Sequence, residues 1–160
     1  MLLGDRHAWQ YAKVAKMPEQ KIMEKVRKDI AEHGWHVLSV FSENMPNFSY
    51  TIGFTETFAH PEVIISRIDS KLAHLLLNDI GELIRKGQFF EHGATANDVL
   101  KNYPVKFENV SENNILEYFR AAKNLYGEGH FKALQCIWPD KYGNFQSCTD
   151  KKQEILSLGV

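Results

Sequence analysis

The sequence predicts an α+β domain with a mixed, largely antiparallel sheet of about five strands and helices packed on it. Apolar runs suited to strands follow one another without an intervening helix in residues 35–68, and amphipathic helical segments stand on both sides of them. Consecutive strands favour antiparallel pairing, so we expect helices to cover one face of the sheet. The 160 residues suit a single domain (1–160), in which residues 1–17 form an N-terminal arm.

Composition is that of an ordinary globular protein. Hydrophobic residues make up 44% of the chain, charged residues make up 24%, and the formal net charge is −1, which excludes disorder and coiled coil for the whole chain. A balanced charge supplies no field that would collect nucleic acid or an anionic membrane. No apolar run approaches the roughly 18 residues of a membrane span or forms a signal-peptide core. We therefore expect a cytoplasmic protein.

The first predicted helix ends at Gly34. Ile22, Val26 and Ile30 form an apolar stripe at i, i+4 spacing, and the glycine supplies the stop. The next run, residues 35–41, is apolar and β-branched and is typical of a strand. A turn follows it, so we expect it to form an antiparallel hairpin with the next strand.

The rest of the chain is organised around the strand at residues 48–54. Large side chains alternate with small ones along it, which predicts one face of large side chains, Phe48, Tyr50, Ile52 and Phe54, and one of small residues, Ser49, Thr51 and Gly53. Because Gly53 removes the Cβ from the small face, we expect a helix or a ligand to approach the backbone closely there.

The later elements are predicted from the same periodic signals. They are a strand at 63–68, a helix at 69–87, a strand at 105–110, a helix at 111–127 and a strand at 131–138. Asp69 or Ser70 is expected to cap the first of these helices, and Ser111 the second. Residues 88–103 are predicted to form an excursion over the sheet with a short helical turn at 97–100.

Several short motifs occur in a fixed order. They are Gly34-Trp35-His36, Tyr50-Thr51-Ile52-Gly53-Phe54, His60-Pro61-Glu62, Gly87, and Gln135 with Trp138-Pro139-Asp140 and Gly143. Over about residues 30–148 the chain resembles a large bacterial family defined only as a domain of unknown function. The resemblance implies a shared fold and a shared cleft, and it supplies no activity, cofactor or catalytic residue. Members commonly continue after this last glycine with an aromatic residue, proline and tryptophan, which this chain lacks.

His60 and Glu62 are the candidate catalytic residues. A histidine titrates near neutrality, and a carboxylate two positions further on lies on the same side of an extended chain, so the pair could perform acid-base chemistry. A structural role is the alternative. In that case Pro61 fixes the turn, Glu62 accepts backbone N–H groups and His60 satisfies a buried polar corner.

Tyr50, Thr51, Trp138 and Asp140 are the candidate ligand-binding residues. An indole at a strand end can stack on a planar ligand, and an aspartate can bind a hydroxyl or an amine. The structural alternative is that Trp138 closes the core and Asp140 begins a turn. Together with His60 and Glu62, these residues are predicted to line a polar cleft at the strand ends that binds a small molecule, since polar groups are costly to bury without purpose.

No metal site is predicted. The histidines weighed as ligands, which are His33, His36, His60, His92 and His130, form no H-E-x-x-H motif, and the cysteines form no C-x-x-C pair. Cys136 is expected to be a small buried apolar residue, and Cys148 a thiol on the polar tail.

Three functions stay open at this point. The first is an enzyme of hydrolytic or transfer type in which His60 is the acid or base and Glu62 orients it. The second is a binding or regulatory module that uses the same cleft without turnover. The third is an interaction protein whose arm, through Trp9 and Tyr11, mediates homodimerisation or partner docking. A small-molecule-binding or acid-base hydrolase or transferase domain is the leading prediction, and the cofactor is unknown.

Overall fold

A computed structural model describes residues 19–44, 46–140 and 142–145. The predicted arm and Cys148 lie outside these residues. The helices are α1 (Glu19–His33), α2 (Phe54–Phe58), α3 (Ser70–Arg85), α4 (Glu112–Tyr118) and α5 (Arg120–Tyr126). The strands are β1 (His36–Val40), β2 (Phe48–Ile52), β3 (Glu62–Ser66), β4 (Thr95–Leu100), β5 (Tyr103–Asn109) and β6 (Ala133–Ile137). No helix in these ranges is long and apolar enough to cross a membrane.

The strands form one sheet in the order β1-β2-β3-β6-β5-β4, and β3 and β6 are the parallel pair. The predicted α+β class with a mixed, largely antiparallel sheet is confirmed, although the described residues hold six strands rather than about five. The additional strand is β4, so the helical turn predicted at 97–100 is wrong. A register shift between Ala96 and Leu100 lets the side chains of Ala96 and Val99 both be buried, although they are three positions apart. That spacing of buried residues is typical of a helix.

Helices cover both faces of the sheet, and the expectation of one covered face is wrong. On one face Val26 of α1 packs with Ile64 of β3 in one core. On the other face Leu77 of α3 packs with Val63 and Ile65 in a second core. Since neighbouring residues of β3 are apolar on alternate faces, each face needs its own helical layer.

The predicted hairpin is confirmed, with Val40 opposite Phe48 in an antiparallel β1 and β2 pair. The predicted alternation fails after Ile52. Gly53 has a φ of 126° and begins the turn into α2, so Phe54 leaves the strand and joins the opposite core. The close approach predicted at Gly53 is made by the backbone of the segment between α1 and β1.

The single helix predicted at 111–127 is two helices that meet at Phe119. Phe119 is fully buried, and its ring lies 4.7 Å from that of Tyr50. The Tyr50 hydroxyl accepts a hydrogen bond from the N–H of Ala121, at 3.0 Å, in the first turn of α5. The break between α4 and α5 therefore lets Phe119 enter the core, and the Tyr50 hydroxyl serves as an acceptor for a free N–H group at the start of α5.

Candidate functional site

Glu62 is completely buried at the start of β3. Its carboxylate accepts five hydrogen bonds, from the Thr51 hydroxyl (2.8 Å), the N–H groups of Gly53 (3.2 Å), Phe54 (3.2 Å) and Thr55 (3.0 Å), and the Tyr126 hydroxyl (2.9 Å). The backbone donors are the free N–H groups at the start of α2, which has no side-chain cap of its own. Glu62 thus takes the place of a capping residue.

Burial raises the pKa of Glu62, and hydrogen bonds led by the Thr55 N–H and the Thr51 hydroxyl offset part of that effect. Burial also raises the pKa of Tyr126, and the charge of Glu62 beside it adds to the rise. The phenol therefore stays protonated and donates to the carboxylate. Together these contacts join β2, α2, β3 and α5 through one side chain.

His60 is 1% exposed, and both of its ring nitrogens are occupied by backbone groups. Nε2 accepts from the N–H of Phe90 at 3.0 Å, which leaves Nδ1 as the donor to the carbonyl of Pro61 at 2.7 Å. Burial lowers the pKa of His60, so the ring is neutral at pH 7. His60 and Glu62 make no hydrogen bond to each other, and their contacts match the structural alternative. Catalysis by this pair stays a prediction.

We expect the stability contributed by His60 to depend on pH. Because its folded pKa lies below the unfolded value of 6.5, the unfolded chain binds the proton more readily, and the contribution is complete above pH 6.5 and falls as the pH drops through the folded pKa. The free energy of unfolding of the native protein should therefore exceed that of His60→Gln most above pH 6.5. Urea titrations at several pH values measure this difference, and a gap that widens in acid would contradict it.

Thr51 belongs to the same buried network as Glu62. Its hydroxyl donates to that carboxylate and accepts from the N–H of Val63 at 3.0 Å. Tyr50 faces the start of α5, as described above. Neither side chain has any exposed surface in the described structure, so ligand binding by Tyr50 and Thr51 stays a prediction.

Trp138 and Asp140 lie at the other end of the sheet. Because β6 runs parallel to β3, residues after β6 are close to the end of β3 and far from Glu62 at its start. The Trp138 indole donates to the carbonyl of Ser66 at 3.0 Å, and the Asp140 carboxylate accepts N–H groups of the turn that follows. The structure therefore does not bring the six predicted residues into one cleft.

A different cleft opens at the edge of the sheet beside β1. We call it the edge cleft; its volume is about 710 Å³. Its lining residues are Lys25, Asp29, Glu32 and His33 of α1, Trp35, His36 and Val37 at the start of β1, and His74, Asn78, Glu82 and Arg85 of α3. Each helix contributes side chains three or four positions apart, which lie on one helical face. In the described sheet β1 has no neighbouring strand on this side, and α1 and α3, from the two helical layers, form the walls of the cleft.

Asp29 and His36 form the central polar pair of the edge cleft. His36 Nδ1 lies 2.7 Å from Asp29 Oδ2, and the side chains are 12% and 14% exposed. The carboxylate can only accept, so Nδ1 carries the proton and Nε2 keeps its lone pair. The other Asp29 oxygen accepts from Lys25 at 2.8 Å. Asp29 is therefore held on both sides and fixes the orientation of the imidazole.

Burial lowers the pKa of His36, and the hydrogen bond and charge of Asp29 offset part of that effect. Burial alone would raise the pKa of Asp29, but the hydrogen bonds from Lys25 and His36 outweigh it and hold the pKa below its usual value. At pH 7 the pair is thus an ionised carboxylate beside a neutral imidazole, which is the state that can accept a proton from a bound molecule.

Trp35 connects the two walls of the edge cleft. Its ring packs against α3 at Gly81, where an added Cβ would overlap the ring. Its indole N–H donates to Asn78 Oδ1 at 2.9 Å. The Arg85 guanidinium covers the ring at 4.9 Å from its centroid and donates to the carbonyl of His33 at the end of α1. These contacts hold the walls together.

His74 is half-buried on α3 and has no hydrogen-bond partner among the described residues. Burial lowers its pKa, and a positive charge on His74 would lower the pKa of His36, which lines the same cleft. Within the described ranges, no three His, Cys, Asp or Glu side chains are arranged to hold a metal ion. Cys136 is buried as predicted, and burial raises the pKa of its thiol to about 12.

The edge cleft was not predicted from the sequence. Of its residues, His36 was weighed as a metal ligand, and Asp29, His74 and Asn78 were not among the candidate site residues. One signal was present in the sequence, since Asp29 stands on the charged face of α1 about one turn before the helix stop and His36 follows that stop. The position of α3 over the same edge has no local signal.

The fold and the edge cleft define an α+β domain with a sheet between two helical layers and a polar cavity at one edge. The family described as Domain of unknown function (DUF4262) matches residues 29–150. The chain therefore belongs to this family. No curated protein and no solved structure matches the chain.

Proposed function

We propose that the protein binds a small polar molecule in the edge cleft and that His36, oriented by Asp29, is the proton acceptor of that site. The observation that carries this proposal is the 2.7 Å contact between the two side chains on the wall of a cavity of about 710 Å³. Cavities of roughly 300–1,000 Å³ are typical of small-molecule sites. The pair leaves Nε2 as an available base.

The enzymatic form of this proposal is hydrolysis or group transfer with a bound water or second substrate as the nucleophile. His36 Nε2 would take the proton of that nucleophile, and Asp29 would stabilise the resulting imidazolium, a contribution of about 10²–10⁴ in rate. The second candidate is binding without turnover. It is favoured by one observation: among the described lining residues no serine, threonine or cysteine is present to serve as a nucleophile.

A thermal-shift screen of metabolites and nucleotides tests the proposal. A molecule that binds only the folded state should stabilise the native protein, by about 2.7 kcal/mol at a hundred times its Kd. We expect that stabilisation to disappear in His36→Ala and to weaken in Asp29→Asn, because the first change removes the base and the second removes the charge that orients it. Consumption of the molecule by the native protein would separate an enzyme from a binding module.

Two variants control this screen. His130→Ala removes an exposed histidine outside the cleft and should leave ligand stabilisation unchanged. His60→Gln tests the acid-base role predicted for the His60 and Glu62 pair, and we expect a folded His60→Gln protein to keep its response to the ligand. Loss of the response in His60→Gln with retention in His36→Ala would contradict the proposal and return the site to His60.

A cytoplasmic location and homodimerisation through Trp9 and Tyr11 belong to this proposal only as predictions. The aromatic residues of the arm support the second, and both lie outside the described residues.

A further inference from the structure

The two basic side chains of the edge cleft are already paired within the protein. Lys25 Nζ lies 2.8 Å from Asp29, and Arg85 Nε lies 3.4 Å from Glu82. The lining has two basic side chains, Lys25 and Arg85, against three carboxylates, Asp29, Glu32 and Glu82, which gives a formal charge of −1 when the histidines are neutral. An anionic ligand would find no unpaired cation in the described lining and would be repelled by the excess carboxylate.

The uncharged polar groups of the lining have defined hydrogen-bonding roles. The indole N–H of Trp35 can only donate, so Asn78 presents Oδ1 to it and turns its Nδ2 donors away. His36 presents an acceptor, because its Nδ1 proton is held by Asp29. The edge cleft thus offers one fixed acceptor and one fixed donor, and His74 can serve as either.

The edge cleft offers no aromatic platform for a planar ring. Trp35 is the aromatic residue of the lining and is 7% exposed. Its ring face is covered by the Arg85 guanidinium. A nucleobase or another flat heterocycle would therefore gain no stacking energy from the described lining, whereas a hydroxyl group satisfies both roles because it donates and accepts.

We propose that the ligand of the edge cleft is a small uncharged hydroxylated molecule, of the polyol or sugar class, in which one hydroxyl donates to His36 Nε2 and another oxygen accepts from Asn78 Nδ2. This inference rests on the proposed function and adds the chemical class of the ligand. The acidic lining disfavours carboxylates and phosphates, and a hydroxyl group can meet both the acceptor of His36 and the donor of Asn78.

Matched probes test the charge preference. myo-Inositol is compared with an inositol monophosphate, and D-glucose with D-gluconate and D-glucose 6-phosphate, within a wider panel of polyols, their acids and simple amines. The readout is the NMR shift of the His36 and His74 imidazoles and of the Asn78 side-chain amide. We expect the probes that bind to be uncharged and their anionic counterparts to bind at least about tenfold more weakly, which corresponds to the loss of a hydrogen bond or a comparable repulsion.

Two variants test the roles of the side chains. Asn78→Asp keeps an acceptor for Trp35 but removes the donor, so we expect Kd for an uncharged probe to rise about tenfold. The tryptophan fluorescence and the Tm of this variant should equal those of the native protein. Glu82→Gln removes one lining carboxylate and releases Arg85, so it should gain affinity for the anionic counterpart. An unchanged Kd in Asn78→Asp would overturn the assignment of the donor.

The outcomes also separate this inference from the proposed function. Binding of the acids or amines in preference to the uncharged probes, with shifts at His36, would overturn the ligand class and leave the site in place. If no compound of any charge shifts the NMR signals of His36, and none stabilises the protein in the wider thermal-shift screen, both proposals fail. Binding of the uncharged probes with unchanged His36 shifts would place them elsewhere and would also overturn the inference.

Discussion

Glu62→Ala is expected to lower the free energy of unfolding by more than about 4 kcal/mol, or to prevent folding altogether. The substitution leaves five donors without their acceptor, three of them backbone N–H groups at the start of α2. Each buried donor that loses its partner costs about 1–3 kcal/mol, against a typical total stability of about 5–15 kcal/mol. Urea denaturation followed by far-UV circular dichroism measures the loss.

Glu56→Ala is the matched control. Glu56 carries the same charge in the first turn of α2 but is exposed, so its removal should change stability by no more than about 0.5 kcal/mol. Glu62→Gln keeps the shape of the side chain but directs its amide N–H groups toward other donors. Its loss of stability should therefore fall between those of Glu62→Ala and Glu56→Ala. A Glu62→Ala protein with native stability would contradict the role of Glu62 as the acceptor that joins these elements.

Gly53→Val is expected to destabilise the protein by about 3 kcal/mol. An added Cβ would lie 2.6 Å from the carbonyl oxygen of Gly34 and 2.7 Å from Cα of Trp35, and both are backbone atoms that cannot swing aside. Overpacking of this kind costs about 1–3 kcal/mol, and the φ of 126° adds strain of a similar order for any residue with a side chain. The midpoint of thermal unfolding reports the change.

Gly87→Val separates the two contributions. Gly87 also has a positive φ, 110°, but no atom lies within 4 Å of its added Cβ. Its substitution should therefore cost only the backbone strain, about 1–2 kcal/mol. Equal losses in the two variants would contradict the clash at Gly53 and would indicate that the segment between α1 and β1 can move away.

Elements with a local signal were predictable from the sequence. The hairpin of β1 and β2 follows from alternation and a turn, and Asp69 and Ser111 cap α3 and α4 as expected because a cap needs only the next few residues. β4 was missed because its register shift gives Ala96 and Val99 a helical spacing. A bulge is set by the partner strand, which a single segment of sequence does not reveal.

The candidate sites also differ in whether the local sequence gives a signal for them. The structural role of Glu62 as an acceptor of backbone N–H groups was an alternative available from the sequence, because Glu62 directly follows Pro61 and opens an apolar run that is expected to be buried. The edge cleft was not predictable, since His36 and His74 come to line one cleft only after α3 has folded over the β1 edge. Which face of a helix overhangs a strand edge depends on packing between layers and leaves no local pattern.

The protonation of His36 during ligand titration is the most direct test of the edge cleft as the functional site. Long-range nitrogen–proton NMR distinguishes the two ring nitrogens, and we expect a neutral ring at pH 7 with the proton on Nδ1, held by Asp29. A ligand found in the screen should shift Nε2 and leave the Nδ1 proton in place. A proton on Nε2 in the free protein, or an Nε2 signal unchanged at saturating ligand, would contradict the assignment of the edge cleft as the functional site.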